Sequence, residues 1–361
     1  MTLDIPKDRL HSQLLSQTDY TEPDEIVEWF GAVQAQDYAG AKWALAQRSK
    51  DSLTDAMIEK AFNEGRILRT HVMRPTWHFV TPSDIGWILD LTVSRVKITM
   101  AHMDRQLGLD KSILKKSNAV LKKALQGNQQ LTRSEIAPIL KKAGIAVDGY
   151  RIGQLMGHAE LDQVICSGAR KGKQFTYALL EERAQQARRL DRDEALAELT
   201  RRYFRSHGPA TLEDFVWWSG LTKTDARKGM EAVQPGFEQE TIANQTYWFP
   251  TIRPKKNSLT TAYLLPNYDE YTVGYRDRSA IFDGSHIDKL SAFRESILTQ
   301  VTVLDGQVSG TWKRILKKKE VVVELAPFTL LSNAQNQAVI AAAQRYSKFV
   351  QLPLVLGKEA A

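Results

Sequence analysis

The stretch Thr211–Pro250, TLEDFVWWSGLTKTDARKGMEAVQPGFEQETIANQTYWFP, decides how the rest of the chain is read. Thr211 and Asp214 have the spacing of a helix N-cap with an acidic third position, and Phe215, Val216 and Trp218 supply the apolar stripe behind it. Gly220 ends that helix, and Thr222 with Asp225 starts another at once, with Met230 and Val233 on one side. Gly236 ends the second helix. Residues 237–250 then read as two short strands turning at Ala243-Asn244. Helix, tight turn, helix, hairpin is the order of elements in a winged helix.

The same order recurs upstream. Thr132 and Glu135 form a capping box ahead of Ile136, Ile139 and Leu140, and Gly144 closes that helix. Pro138 falls inside it and is expected to kink or shorten it. Asp148 opens a second helix through Leu155 and His158, and 163–179 reads as two strands around a Gly- and Lys-rich turn. Near the N-terminus, Thr21-Glu-Pro-Asp24 announces a helix over 21–33, Thr54 caps another over 54–64, and Gly65 leads into a hairpin over 66–80. A helix over 112–126 sets Lys115, Lys116, Lys122 and Lys123 opposite an apolar stripe. Residues 260–361 differ, with strand-like runs at 261–265, 298–304, 308–316 and 320–325 and one amphipathic helix over 333–350. The expected fold is therefore mainly α with β wings, an α+β class. Three tandem winged-helix units (1–128 with connecting helices, 129–185, 186–255) precede a separate C-terminal β-barrel-like domain (256–361).

Composition narrows the function. The chain has 361 residues, 43% hydrophobic and 25% charged, with a single cysteine, Cys166. One cysteine excludes an internal disulfide, a zinc finger and a four-cysteine cluster. No apolar run is long enough to span a bilayer, and the first residues lack the pattern of a signal peptide, so a cytoplasmic protein is expected. The net charge of +7 is unevenly spread: residues 111–180 carry +8 and 251–361 carry +5, whereas 1–110 carry −4 and 181–250 carry −2. Two basic blocks suit a polyanion such as nucleic acid; a solubilising surface explains them as well. No phosphate-binding Gly loop, metal-ligand spacing or nucleophile elbow is present, so neither cofactor nor metal is expected.

Few residues stand out as chemistry. His71 and His78 could meet across the 66–80 hairpin, or be buried and hydrogen-bonded. Arg74, Trp77 and His78 share that hairpin, where Trp77 is either core or a platform for a base. The unusual segment is Gly31–Tyr38, GAVQAQDY. Gln34 and Gln36 point to different sides of a helix but to the same side of an extended chain, so joint use requires the backbone to leave the helix near Gly31. Capping and solvent exposure are the plainer explanation of the pair.

Taken together, GAVQAQDYAGAKWAL around Gln34-Ala35-Gln36, LRTHVMRPTWHFVTP at 68–82, LLPNYDEYTVGYRDR at 264–278 and DGQVSGTWKR at 305–314 resemble the bacterial AlkZ-like family of winged-helix DNA glycosylases, which also includes YcaQ. The resemblance implies tandem winged helices and a barrel-like domain curved around DNA, excision of alkylated bases, and in some members unhooking of interstrand crosslinks. The family's Gln-x-Gln motif maps onto Gln34 and Gln36; a YcaQ-like subgroup has Gln-x-Asp, which sets this chain on the AlkZ side. The chain departs at Arg74-Pro75-Thr76, where many relatives have Arg-Gly-Thr, because Pro cannot take a positive φ.

The chemistry can be argued separately. An N7- or N3-alkylated purine already carries positive charge and leaves as a neutral base without a general acid. Its transition state resembles an oxocarbenium ion, and water arrives on the far face of the sugar. A Gln amide is too weak a base to take a proton, but it both accepts and donates, so two of them can hold a water. Asp37 is the rival, as general base or oxocarbenium stabiliser. No lysine adjoins the motif, the nearest being Lys42, so cleavage without lyase action is expected. The small residues Gly31, Ala32, Ala35, Ala39, Gly40 and Ala41 suggest an open site tolerant of bulky adducts; close helix packing explains them equally. Candidate DNA contacts are Tyr38, Lys42, Arg74, Trp77, His78, Arg170, Lys171, Lys173, Lys313, Arg314, Lys317, Lys318 and Lys319. The expected partner is double-stranded DNA containing alkylated bases, bound by a monomer without any membrane. A non-catalytic winged-helix DNA-binding protein or regulator is the competing reading, and a member that has lost activity or acts on RNA is a third.

Overall fold

The computed structural model describes residues 3–251, 260–292 and 298–357. After helix α1 (Ile5–Ser12), the chain runs three times through one series: a helix, a short extended stretch, a capped helix, another helix and a hairpin. The first unit comprises α2 (Pro23–Phe30), β1 (Val33–Gln34), α3 (Tyr38–Ala46), α4 (Asp55–Glu64), β2 (Leu68–Val72) and β3 (Thr76–Val80). Helix α5 (Ile85–Gln106) leads to the second: α6 (Lys111–Leu125), β4 (Leu131–Thr132), α7 (Arg133–Lys142), α8 (Arg151–Leu161), β5 (Ile165–Ser167) and β6 (Thr176–Leu179). The short α9 (Leu180–Arg183) precedes the third: α10 (Arg192–His207), α11 (Leu212–Ser219), α12 (Lys223–Val233), β7 (Phe237–Ile242) and β8 (Gln245–Pro250). Each time, the extended stretch pairs with the second strand of the hairpin. The sheet orders are β1-β3-β2 and β4-β6-β5, and in the third unit Ala210 bridges Trp248.

The punctuation expected from the sequence operates locally. Thr54, Thr132, Thr211 and Thr222 each accept a backbone N–H at a helix start. Helix α7 continues through Pro138. One expectation is corrected: the helix drawn over 21–33 stops at Phe30, and α3, which the periodicity does not reveal, follows.

The C-terminal region holds β9 (Ala262–Leu265), α13 (Glu270–Val273), α14 (Ile287–Ala292), β10 (Val301–Leu304), β11 (Gln307–Leu316), β12 (Val321–Pro327), α15 (Asn333–Val350) and β13 (Leu354–Gly357). Its sheet runs β9-β10-β11-β12-β13, so the expected barrel does not close. Closure is unnecessary because α15 and the first unit cover one face. Val339, Ala343 and Tyr346 share a core with Trp312, Val321 and Val323, and the same core takes in Ile26, Phe30, Trp43 and Phe62. This region is therefore not packed as a separate body. Trp43 Nε1 donates to the Leu264 carbonyl (2.7 Å), and Arg48 grips Asp269 with two hydrogen bonds of 2.9 and 2.7 Å, all buried. The division expected at 255/256 lies outside the described residues. Among the described residues, no helix is long and apolar enough to cross a membrane.

Candidate active site

The site begins where α2 ends. Ile26, Val27 and Phe30 bury its apolar face, and Gly31 then takes φ +81°, a value that favours glycine. The chain leaves as β1, with Val33 opposite Phe79 and Gln34 opposite His78, and Ala35 N–H still reaches the Trp77 carbonyl (2.8 Å). Asp37 caps α3 by accepting from Gly40 N–H (3.0 Å). Gly40 is required, since a Cβ there would stand 2.7 Å from Asp37 Oδ2 and 3.0 Å from Pro266 Cβ. Gln34 and Gln36 thus lie on the extended corner between strand and helix.

Gln34 is buried and Gln36 exposed. Gln36 N–H donates to Gln34 Oε1 (2.7 Å), which fixes the orientation of the Gln34 amide and leaves its Nε2 as a donor. Trp77 N–H makes a longer contact, 3.4 Å, to Gln36 Oε1. Each glutamine oxygen therefore already serves a backbone N–H and keeps one lone pair. The arrangement is two amides held by their carbonyl ends, rather than two uncommitted acceptors.

Behind the corner lies a carboxylate the sequence reading did not single out. Glu270, 2% exposed, accepts from Gln34 N–H (2.6 Å), Trp218 Nε1 (3.0 Å) and His207 Nε2 (3.2 Å). Burial raises its pKa, but hydrogen bonding and charge from His207, with the Gln34 N–H, bring it below the ordinary value. Burial lowers the pKa of His207 and of Arg74. His78, fully buried, is pushed down to about 3 by burial and then by the charge of Arg74, so it is neutral. Its Nδ1 donates to the Thr76 carbonyl (3.0 Å), and Nε2 has no partner among the described residues. His71 does not meet His78. The register sets His71 against Trp77 and Thr70 against His78, and His71 Nδ1 lies 2.6 Å from Glu160.

The family model of DNA glycosylase AlkZ-like proteins matches residues 27–349, a span that includes the glutamine corner and Glu270. The chain belongs to the AlkZ-like DNA glycosylase family. Family membership carries glycosylase activity and a DNA substrate at the level of the family. Streptomyces sahachiroi DNA glycosylase AlkZ has the same fold, with a TM-score of 0.79 over 98% of each chain at 20% identity. No curated protein matches the sequence.

Within this AlkZ-like fold, the candidate DNA contacts divide sharply. Tyr38 is core: it packs on Phe62, Phe79 and Phe175, and its hydroxyl donates to Glu59 (3.0 Å). Lys42 is 5% exposed and ion-paired with Asp55 and Glu59, both at 2.8 Å. His78 is buried as well, so the protein itself encloses all three of these side chains. Asp37, the rival catalytic group, has Oδ1 in the cap and Oδ2 accepting from Asn267 Nδ2 (3.1 Å), with Arg314 at 3.9 Å. Arg74 is partly buried beside Trp217 (5.7 Å). The turn it occupies takes its positive φ at Met73 (+59°), so Pro75 needs none. Trp77 is half-buried, with Arg69 over its ring at 4.2 Å. Arg170 stacks on Phe175 (4.4 Å) and Tyr38 (4.9 Å). Lys171 is exposed but paired with Glu135 (3.0 Å), and Lys173 is exposed. On the β11–β12 hairpin, Lys313, Lys318 and Lys319 are exposed, and Lys317 bonds Glu320 (2.7 Å).

Proposed function

We propose that this chain is a monofunctional DNA glycosylase that hydrolyses the N-glycosidic bond of cationic N7- or N3-alkylated purines in duplex DNA, with Gln34 and Gln36 holding the attacking water. In this reading the three repeated units are winged helices and the chain belongs with the Gln-x-Gln members of its family. The observation that carries it is the 2.7 Å bond from Gln36 N–H to Gln34 Oε1 on an extended corner. It orders the Gln34 amide relative to the Gln36 backbone before substrate arrives, which is what positioning catalysis needs. A cationic base leaves without protonation, so a site offering only amides is adequate for such lesions and poor for neutral ones. Asp37 is less suited as a base, because both its oxygens already serve the cap and Asn267.

Release without lyase action is supported by Lys42, whose amine is sequestered by Asp55 and Glu59. Tolerance of bulky adducts and crosslinks rests on different residues from those first suggested. Ala32, Ala35, Gly40 and Ala41 are packed inside, whereas Gln36 is exposed and its Oε1 meets the N–H of Trp77 (3.4 Å), a residue that lines a cleft of about 870 Å³. The test is incubation with duplex DNA containing 7-methylguanine. Free 7-methylguanine and an abasic site are expected, without a borohydride-trapped adduct. Intact DNA, or a trapped adduct, overturns the reading.

A further inference from the structure

The register that places Gln34, His78 and Thr70 on one face of the first sheet places Val33, Phe79 and Arg69 on the other. Arg69 is 7% exposed. Its Nε donates to the Ala35 carbonyl (3.0 Å), the residue between the two glutamines, and its guanidinium lies between the rings of Trp77 (4.2 Å) and Phe175 (4.6 Å). No acceptor among the described residues bonds Nη1 or Nη2, and no described carboxylate stands within ion-pair distance. The near candidate, Glu160, is taken by His71. Burial lowers the pKa of Arg69 to about 10, which leaves it charged at neutral pH. An arginine more than nine-tenths buried, whose Nη atoms have no hydrogen-bond acceptor and no ion pair among the described residues, keeps donor capacity that an anion can complete.

The space it faces can admit one. Arg69 lines the cleft of about 870 Å³ between the first and second units, together with Trp77, Phe175, Arg133, Lys141 and Lys173; the carboxylates in its lining, Asp148 and Glu160, are engaged by Lys141 (3.7 Å) and His71 (2.6 Å). Arg170, over the same Phe175 ring (4.4 Å), adds positive charge nearby. Cations with interleaved aromatic rings suit a nucleic-acid strand, and the planar fork of Arg suits phosphate.

Building on the glycosylase reading above, we propose that Arg69 is the centre of a phosphodiester-binding subsite. Its Nη pair grips one backbone phosphate of the DNA strand that passes the Gln34–Gln36 corner, while its Nε holds Ala35. Substrate phosphate and catalytic corner are thereby fixed by a single rigid group.

The test reads binding, not excision, so it stands apart from the proposed activity. Full-length protein is titrated with a duplex carrying a tetrahydrofuran abasic analogue, in versions where each flanking phosphate is singly replaced by an uncharged methylphosphonate. One replacement is expected to weaken wild-type binding about tenfold. That penalty disappears in Arg69→Gln, and the salt slope of this variant falls by about 0.9. Lys173→Gln, an exposed substitution that spares the Ala35 bond, is expected to reduce the slope in part. A scan that is flat for the wild-type protein overturns the subsite even if Arg69→Gln fails to fold. So does a penalty that persists unchanged in a folded Arg69→Gln. Competition by inorganic phosphate or a nucleoside monophosphate at low millimolar concentration, with a flat scan, would assign the anion to a free ligand and likewise reject the DNA phosphate. Base release from 7-methylguanine DNA, measured separately, reports on the activity alone.

Discussion

The first and second units turn the same corner, from a short strand into a capped helix, in different ways. In the second unit Thr132 is both the strand residue paired with Thr176 and the N-cap of α7, and Glu135 returns the bond to Thr132 N–H (2.7 Å). That corner is closed by its own residues. In the first unit the strand ends at Gln34 and the cap is Asp37, so Ala35 and Gln36 remain as extended backbone. This longer corner is held from elsewhere: Glu270 on Gln34 N–H, Arg69 on the Ala35 carbonyl, Trp77 N–H on Gln36, Asn267 on Asp37. The second-unit corner closes mainly on its own residues. The first is kept in shape by groups distant in sequence, which the proposed water-holding role of its glutamines would require.

The largest effect tests this contrast directly. Gln34→Ala and Gln36→Ala are each expected to slow single-turnover excision of 7-methylguanine by roughly 100- to 1,000-fold, about 3–4 kcal/mol, with DNA affinity nearly unchanged. Full activity in both variants would remove the functional reading of the corner. Glu270→Gln should come next. It keeps the shape but removes the charge that Gln34 N–H, Trp218 and His207 all address, and excision should fall by roughly tenfold or more. Unchanged excision with an unchanged melting temperature would show that the first corner, too, holds itself.

The buried histidine behind Gln34 gives the comparison a pH signature. His78 has a folded pKa of about 3 against an ordinary 6.5. The unfolded chain therefore takes up a proton that the folded one refuses, and stability is lost as pH falls from about 6.5 toward 3. Between pH 7 and pH 5 the loss from this group is about 2 kcal/mol. Urea unfolding of His78→Asn should show a correspondingly flatter dependence than wild type. His207, also lowered, contributes in the same direction and remains in both proteins. Equal pH dependence would mean that His78 takes up its proton at the same pH in the folded and unfolded states. For the second corner, Thr132→Ala should cost about 1 kcal/mol of stability, as loss of an N-cap does, and leave excision alone. A fall in excision beyond that explained by unfolding would make this corner functional as well.

The units were legible where local chemistry decides the outcome. Thr-x-x-acid caps and terminal glycines marked the helices of the second and third units, whereas a departure from the helix near Gly31 followed only if Gln34 and Gln36 were used jointly. Helix α3 was not legible because nearly all of it is buried, leaving no polar face to give a period of 3.6. The open sheet was mistaken for a barrel because strand patterning reveals buried faces but not what covers them; here the cover is α15 and the first unit. Half of the site was hidden for a related reason. Glu270 and Arg69 reach the corner through register and tertiary packing, and nothing near either residue marks it as a partner of Gln34 or Ala35. The mismatch of His71 with His78 is an error of one register step, which flips side chains between faces.

The smallest expected effect concerns the cations beside each corner. At the second, the Thr132 N–H, and then Lys171 (3.0 Å), hold the capping Glu135 carboxyl down at about 2. At the first, Arg314 approaches Asp37 (3.9 Å), and the hairpin that carries it ends in exposed Lys318 and Lys319. A lysine already paired releases little counter-ion on meeting a phosphate, because it must first give up its carboxylate. An exposed one without an ion pair contributes about 0.9 to the slope of log affinity against log salt. Replacing Lys318 and Lys319 together by Gln should therefore lower the slope by up to about 1.8 if both meet phosphates. Lys171→Gln should leave it almost unchanged. A drop of about 0.9 for Lys171→Gln would mean that this lysine leaves Glu135 for DNA. The second corner would then lie on the nucleic acid beside the first, and the division between a structural and a functional corner would have to be redrawn as one continuous binding face.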